Sequence, residues 1–380
     1  MQITIFSFLS SVLWSSVLIA FSYAIRKINV LNQLFGISLV ICIYLFCVVR
    51  MLFPTEFIFS RAIEVNAIYP TLYSHLFVFH TDFVVPIKPI QILLILWGTV
   101  SVVLLIRLGV SYHKTVRSIA QNKKPCKSKE EEILKIIIQQ SERKIRVSLS
   151  ATADISVPME IGIFHKMILL PEKVYTDRDI YYILLHEYTH ILNRDTIVKM
   201  LVWIFGCIFW WNPFAYLLKR DLEQTQEIKC DLTVVKKMNL TQRTDYLSTI
   251  VRALKEAKTN KKYLYASSAL IIQNRASDIK ERFQSVAAYT FHKRSKWFKG
   301  ACYCALLLLA VTSYSFVVQP VFEAPSSTET NAIDYTPSDA HVVQTNDGIY
   351  LLYIKNHGSR IIQKDYADLL KNIGFTIVRE

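Results

Sequence analysis

The chain has 380 residues, 52% of them hydrophobic, and a mean hydropathy of +0.29. This apolar share exceeds that of ordinary soluble proteins, which argues against a purely water-soluble enzyme and allows several membrane spans beside one globular domain. The net charge is +14, and 33 of the 44 Lys and Arg residues lie between positions 109 and 299. This local basic excess is typical of a cytoplasmic loop, and no aromatic-interleaved basic motif indicates direct nucleic-acid binding.

Four apolar stretches are long enough to cross a lipid bilayer as helices. They cover approximately residues 3–24, 33–53, 89–108 and 300–318. Arg26 and Lys27 follow the first stretch, a basic run follows the third, and further basic residues precede the fourth. Since cytoplasmic flanks are enriched in Lys and Arg, we expect both termini outside the membrane and residues 109–299 in the cytoplasm.

The segments outside these spans predict three further regions. Residues 54–88 are rich in Phe and Tyr and predict an outside loop packed at the membrane interface. Residues 319–340 predict a linker, and residues 341–380 predict a small extracytoplasmic α+β module. In this module two strand-like runs flank an Asn-Asp-Gly turn at 346–348, and a helical run precedes a last strand.

The sequence HEYTH at residues 186–190 matches the H-E-x-x-H motif of metallopeptidases. On a helix, His186 and His190 lie one turn apart, so both imidazoles project from one face and can bind one zinc ion. Glu187 beside them can act on a water molecule as a general base. The motif alone is moderately specific, and two structural histidines beside an ion-paired glutamate are the alternative.

A catalytic zinc ion needs a third protein ligand and an open position. The downstream segment DLEQTQEIKCDL places Glu227 and Asp231 on one helix face. Glu227 can bind the metal, and Asp231 can accept the free N–H of a ligand histidine. Glu223 lies one turn earlier on the same face and competes with Glu227. An ordinary solvated acidic face is the alternative for this helix.

A further apolar run at residues 200–218 could span a membrane by hydropathy alone. A single crossing would place His186 and Glu227 roughly 30 Å apart, although ligands of one zinc ion lie about 2 Å from it. We therefore expect this run to form a buried helix or a shallow re-entrant hairpin broken near Asn212-Pro213.

Upstream of the motif, VPMEIGIFHKMILLP contains short apolar runs around Gly162 and ends at Pro171. It predicts a hairpin or an edge strand, and an edge strand near the metal could hold a substrate as an added strand. An ordinary core hairpin is an equal alternative. His165 in this segment is expected at the surface rather than at the metal.

With these residues assembled, the sequence from 1 to about 318 resembles the BlaR/MecR family of membrane zinc metallopeptidases, the antirepressor proteins of the beta-lactam response. The resemblance rests on the four-span plan and on the motifs IGIFHKMILLPEKV, LLHEYTHILNRD and WWNPF. It also rests on the E-x-x-C-D motif from Glu227 to Asp231. This combination is far more specific than H-E-x-x-H alone.

The resemblance implies the roles of individual residues. It implies that His186, His190 and Glu227 bind Zn²⁺ and that Glu187 is catalytic. The third ligand of the family is the glutamate of E-x-x-C-D, which favours Glu227 over Glu223.

The resemblance also implies a fold class and a function. We expect a mainly α membrane protein with four transmembrane helices, a cytoplasmic α+β gluzincin-like domain and a small extracytoplasmic α+β tail. In a bacterial plasma membrane it would transmit an outside signal by cleaving a cytoplasmic protein, by family analogy a DNA-binding repressor. Self-cleavage between about residues 240 and 299 is a further expectation, and a homodimer is left open.

The chain departs from the sensor members of this family after the last span. Residues 319–380 contain no S-x-x-K motif, so we expect no penicillin-binding sensor domain there. Two other functions stay open: a membrane quality-control or prenyl-protein type zinc peptidase, and a non-enzymatic receptor with a structural zinc site. A fourth protein ligand, for example Cys230 or His165, would indicate the structural site.

Overall fold

A computed structural model of the protein contains two compact units, Met1–Pro320 and Val321–Glu380, and is mainly helical. The described residues of the first unit are 4–27, 37–55, 60–65, 89–163, 165–259, 276–289 and 296–320. Those of the second unit are 340–345, 350–354, 358–362, 367–368, 370–371 and 375–379.

Helices make up most of the described part of the first unit. They are α1 (Ile5–Lys27), α2 (Ile37–Leu52), α3 (Pro89–Asn122), α4 (Ser128–Gln140), α5 (Asp177–Asn193), α6 (Asp195–Ile208), α7 (Pro213–Val235), α8 (Leu240–Thr259), α9 (Ala276–Ala287) and α10 (Lys296–Ser315). The strands are β1 (Arg61–Val65), β2 (Lys124–Pro125), β3 (Ser148–Thr152), β4 (Met159–Ile161), β5 (Met167–Pro171) and β6 (Phe316–Pro320). The HEYTH motif therefore lies within α5, and the E-x-x-C-D motif lies within α7.

Four short strands form a sheet in the order β2-β3-β5-β4, while β1 pairs with β6 separately. Strands β3 and β5 run parallel, whereas β2 and β4 are antiparallel to their neighbours. The predicted hairpin around Gly162 is confirmed, because β4 and β5 pair directly. Strand β4 is also the outer strand of the described sheet, so both predicted forms of this segment occur together.

The connection between β4 and β5 depends on Gly162. Its φ is +93°, and a Cβ at this position would lie 2.0 Å from the carbonyl oxygen of His165. We expect Gly162→Ala to lower the free energy of unfolding by about 1–3 kcal/mol, because the backbone conformation is strained for alanine. Thermal unfolding of the purified protein measures this loss. Gly206→Ala in helix α6 is the matched control, since its Cβ would meet no atom within 4 Å and alanine favours helix. An unchanged unfolding temperature for Gly162→Ala would contradict the expectation.

Among the described residues, two helices are long and apolar enough to cross a bilayer, namely α1 and α3. Helix α2 lies within the second predicted span but has only 16 residues, and α10 ends at Ser315, where β6 follows. Helix α3 continues past residue 108 to Asn122, so its 34 residues extend over about 50 Å. Its residues Ile92–Leu96 are 49–68% exposed in the protein alone, as expected for a surface that lipid covers.

The apolar run 200–218 does not form one continuous helix. Helix α6 ends at Ile208 and α7 begins at Pro213, with Asn212 as its N-cap. Helices α6 and α7 share one apolar core with α1 and α2. The break occurs where Asn212-Pro213 predicted it, and the resulting helical hairpin brings α7 back against α5.

The second unit contains a four-stranded sheet in the order β10-β7-β8-β9. Its strands are β7 (Ala340–Gln344), β8 (Tyr350–Ile354), β9 (Gly358–Ile362) and β10 (Ile377–Arg379). Strands β7 and β8 pair antiparallel, as the predicted hairpin requires, and bury Val342 and Leu352. The predicted turn at 346–348 lies outside the described residues, as do most of the linker 319–340 and of the loop 54–88.

Candidate metal centre

Helix α5 presents the HEYTH motif in a fixed orientation. Its N-cap is Thr176, whose hydroxyl accepts a hydrogen bond from the backbone N–H of Asp179 at 3.2 Å. Asp177 and Asp179 lie in the first turn, where the helix dipole favours negative charge. Ile183 and Leu184 are buried in the core between α5 and the sheet. This packing sets the rotation of the helix and directs the histidines toward α7.

Three potential metal ligands meet between α5 and α7. The Nε2 atoms of His186 and His190 lie 3.1 Å apart. Oε2 of Glu227 lies 3.5 Å from His186 Nε2, and Oε1 lies 3.5 Å from His190 Nε2. All three side chains are buried. The structure thus brings together the three residues that the sequence predicts as ligands.

The distances among these donor atoms fit one metal ion. Ligand atoms bound to a tetrahedral zinc ion stand about 3.3 Å from one another, close to the separations of 3.1 and 3.5 Å found here. Burial opposes the charged form of Glu227, but His190 and Arg282 hold the pKa of its carboxyl well below the usual range. A carboxylate that binds a metal is ionised, and the guanidinium group of Arg282 at 3.2 Å favours that form of Glu227. Two imidazoles and one carboxylate are the ligand set of catalytic sites that keep an open position.

The other predicted candidates for a ligand lie elsewhere. Glu223 accepts a hydrogen bond from the indole N–H of Trp203 at 3.0 Å. His165 is exposed, as the sequence predicts. The exposure of His165 argues against it as a ligand. The contact of Glu223 with Trp203 leaves Glu227 as the carboxylate of the cluster.

Cys230 is a closer neighbour of the histidines. One donor atom each of His186, His190 and Cys230 lie within 4.8 Å of one another. The sulfur lies 3.5 Å from His186 Nδ1 and 3.4 Å from the His186 carbonyl oxygen. The geometry favours Glu227 over Cys230 as third ligand, because the carboxylate faces both Nε2 atoms. The sulfur instead approaches the nitrogen that is hydrogen-bonded to Tyr246.

Hydrogen bonds hold the outer nitrogens of both histidines. His190 Nδ1 lies 2.7 Å from Asp195 Oδ2, and His186 Nδ1 lies 2.8 Å from the hydroxyl of Tyr246. Tyr246 donates in turn to Asp231 Oδ1 at 2.6 Å. Asp231 Oδ1 also lies 3.4 Å from His186 Nδ1, so Asp231 supports His186 both through Tyr246 and by its own approach, whereas Asp195 contacts His190 directly. Such partners fix the tautomer in which Nε2 is free to bind a metal.

Two cations border the carboxylate of Glu227. Arg282 donates to both oxygens of Asp231 at 2.6 and 2.8 Å, and its Nη1 lies 3.2 Å from Glu227 Oε2. Lys199 Nζ lies 3.8 Å from Glu227 Oε1. Each oxygen of Glu227 thus has one cation and one histidine nitrogen as neighbours.

A cavity of about 390 Å³ opens beside the cluster. Glu187 lines it, and burial raises the pKa of the Glu187 carboxyl above its ordinary value. Strand β4 forms one wall with Met159–Ile161, and α3 contributes Leu105, Leu108 and Tyr112. The candidate general base, the metal ligands and the outer strand therefore face one mostly apolar space.

Four residues of this centre were not anticipated from the sequence. They are Asp195, Lys199, Tyr246 and Arg282. The sequence could have indicated Asp195 as a partner of His190, because it ends the motif LLHEYTHILNRD and lies only five residues after this histidine. The preceding Arg194 adopts a left-handed conformation with φ 60°, which turns the chain so that the carboxylate meets the imidazole.

Parts of the chain are similar to known proteins. A methicillin resistance mecR1 protein of Staphylococcus aureus is 33% identical over 151 residues, which are 38% of this chain and 25% of that protein. The regulatory protein BlaR1 of Staphylococcus aureus is 24% identical over 195 residues, 49% of this chain and 32% of that protein. For BlaR1 of Bacillus licheniformis the identity is 26% over 96 residues, 25% of this chain and 16% of that protein. The matched regions thus span a third or less of these relatives.

The family described as BlaR1 peptidase M56 matches residues 34–286. This range is more than half of the chain and contains both helices that meet at the metal centre. The chain therefore belongs to the BlaR1 peptidase M56 family.

Proposed function

We propose that the chain is a zinc-dependent endopeptidase that relays an extracytoplasmic signal by cleaving a cytoplasmic protein. The observation that carries this proposal is the convergence of His186, His190 and Glu227 beside a cavity that Glu187 lines. A purely structural metal site would not require a general base facing an open space.

Each residue of the centre has its own role in the proposed reaction. His186, His190 and Glu227 would hold the zinc ion, which when bound polarises a substrate carbonyl and makes a water molecule more acidic. Glu187 accepts a proton from the attacking water and passes it to the leaving amine nitrogen. Asp195 orients His190, so the two imidazoles keep the directions that the site needs.

The outer strand β4 suggests how a substrate is held. Its residues Met159–Ile161 line the cavity and pair with only one neighbouring strand in the described sheet. An extended substrate segment can add to this edge through backbone hydrogen bonds, which would lay a peptide bond across the cavity. The apolar wall formed by Leu105 and Leu108 of α3 then favours an apolar substrate side chain beside the cleaved bond.

Charge distribution supports the membrane arrangement that we propose. In this arrangement the chain would cross the membrane at 3–24, 33–53, 89–108 and 300–318, with the peptidase domain, residues 109–299, in the cytoplasm and both termini outside. The regulatory relatives support a repressor as the substrate, and self-cleavage between about 240 and 299 remains part of the proposal.

The position of the Cys230 sulfur, 3.5 Å from His186 Nδ1, is the observation that favours a structural zinc site. If the sulfur replaced a water molecule as the fourth ligand, the site would be closed and the chain would act as a receptor. Cys230→Ser separates the two functions. The proposed peptidase keeps its zinc and its activity in this variant, whereas a closed structural site loses metal and stability.

The test of the proposed function uses the full chain in lipid vesicles, with a small DNA-binding repressor from the same genome as the substrate. Chelation of the metal should abolish cleavage of this repressor, and added Zn²⁺ should restore it, because the three ligands create no reactive centre without metal. Mass spectrometry of the fragments identifies the cleaved bond. Cleavage that continues after complete removal of metal would rule out the proposal, and cleavage of misfolded membrane proteins instead of the repressor would favour a quality-control peptidase.

A further inference from the structure

Two neighbouring residues of helix α9 form ion pairs with different parts of the protein. Arg282 is 4% exposed and contacts the carboxylates of Asp231 and Glu227. Glu281, the preceding residue, binds the guanidinium of Arg26 and the ammonium group of Lys27. Helix α9 thus connects the end of the first membrane helix to a proposed metal ligand.

The contact with α1 is a buried ionic cluster rather than a surface pair. Arg26 is 1% exposed and pairs through two nitrogens with Asp221 of α7, Nε at 2.7 Å. The hydroxyl of Tyr44 from α2 donates to the same carboxylate at 2.5 Å. Asp221 precedes Glu227 by six residues, which is about 9 Å along the helix. The last turn of α1 therefore forms ion pairs with α7, which carries Glu227, and with α9, which carries Arg282.

The geometry of Arg282 suits it to fix the direction of Glu227. A guanidinium group stays charged and is planar, so two bonds to one carboxylate determine its orientation. Asp231 supplies these two bonds, and the remaining Nη1 reaches Glu227 Oε2 at 3.2 Å. This is the oxygen that faces His186 Nε2. A lysine at this position would keep the charge but could not bridge the two carboxylates in a fixed plane.

We propose that Arg282 is a positioning residue for Glu227, and that the ion pairs of Glu281 with Arg26 and Lys27 hold Arg282 in place. The proposal rests on the zinc peptidase function proposed above. A movement at the inner end of α1 is then transmitted through α9 to the ligand, which gives the signal a direct path from membrane to metal.

The first part of the test compares Arg282→Lys with Arg220→Lys in the full chain in lipid vesicles. Arg220 also joins α7 to α9, by an ion pair with the buried Asp278 at 3.8 Å, and its own side chain is 52% exposed. Competition with a chelator measures zinc affinity, and the visible spectrum of the cobalt-substituted protein reports ligand geometry. Arg282→Lys is expected to lose about 10- to 100-fold in zinc affinity and to change the cobalt spectrum. Arg220→Lys should behave like the wild type.

The second part of the test examines the connection to α1. Glu281→Gln removes the negative charge that binds Arg26 but leaves Arg282 and all ligands unchanged. We expect it to lower zinc affinity about fivefold or more. The double variant Glu281→Gln, Arg282→Lys should lose less than the product of the single losses, because both changes act through one contact chain.

Each outcome decides one part of the proposal. Wild-type affinity and cobalt spectrum in Arg282→Lys would overturn the positioning role, as would an unfolding temperature that falls with no change in the spectrum. Wild-type zinc affinity in Glu281→Gln would overturn the connection to α1. If Arg282→Lys does not fold, the zinc affinity of Glu281→Gln alone decides the proposal. A wild-type protein that binds no zinc would contradict the proposed function instead, so the two failures are distinguishable.

Discussion

Replacement of Glu187 by glutamine is expected to lower the rate of substrate cleavage by about 10²–10⁴-fold while the zinc content stays that of the wild type. Glutamine keeps the size of the side chain but cannot accept the proton of the attacking water. Fragment yield over time and metal analysis of the same sample measure both quantities.

The matched control for this experiment is Glu223→Gln, because an amide oxygen at position 223 can still accept the hydrogen bond from Trp203. It should cleave at the wild-type rate. Cleavage that survives in metal-loaded Glu187→Gln would show that another group is the base, and the proposed division of roles would be wrong.

Glu227→Gln is expected to have the largest effect on the metal itself. A neutral amide is a poor zinc ligand, and this change also leaves Arg282 with one carboxylate fewer. The loss of zinc affinity should exceed the roughly 10- to 100-fold that follows from altering a partner of a ligand. Chelator competition measures the affinity of Glu227→Gln beside Glu223→Gln, which should bind zinc normally although it lies on the same helix one turn earlier.

The comparison with Cys230→Ser makes this experiment decisive. Loss of zinc in Cys230→Ser together with normal binding in Glu227→Gln would identify the thiolate as the third ligand. The distances predict the reverse, because both oxygens of Glu227 face an Nε2 atom and the sulfur lies beside Nδ1 of His186.

The helical parts of the centre were predictable because their signals are local. The spacing of His186 and His190 places both imidazoles on one face whatever the helix packs against. Asn212-Pro213 likewise ends one helix and begins the next through backbone chemistry alone. The choice of Glu227 over Glu223 rested on the resemblance of the E-x-x-C-D segment to the family motif, because helix geometry places both glutamates on the same face.

The supporting residues could not be predicted because they depend on helix packing. Tyr246 and Arg282 come from α8 and α9, and Arg282 lies 51 positions after the carboxylate of Asp231 that it binds. Periodicity shows that a helix has an inner face but not which helix that face meets.

The end of the third predicted span was set by hydropathy at residue 108, where apolar residues stop. The helix continues to Asn122, because polar residues can extend a helix beyond the lipid.

In the membrane arrangement proposed above, the long helix α3 would connect the bilayer to the cavity. Leu105, Leu108 and Tyr112 are wall residues and at the same time part of the continuous α3 rod that starts at Pro89. Transmembrane helices adjust their tilt to the thickness of the surrounding lipid, and a change of about 10° displaces a point some 25 Å along a rod by about 4 Å. In the proposed membrane arrangement, a change in lipid thickness would therefore alter the width of the cavity.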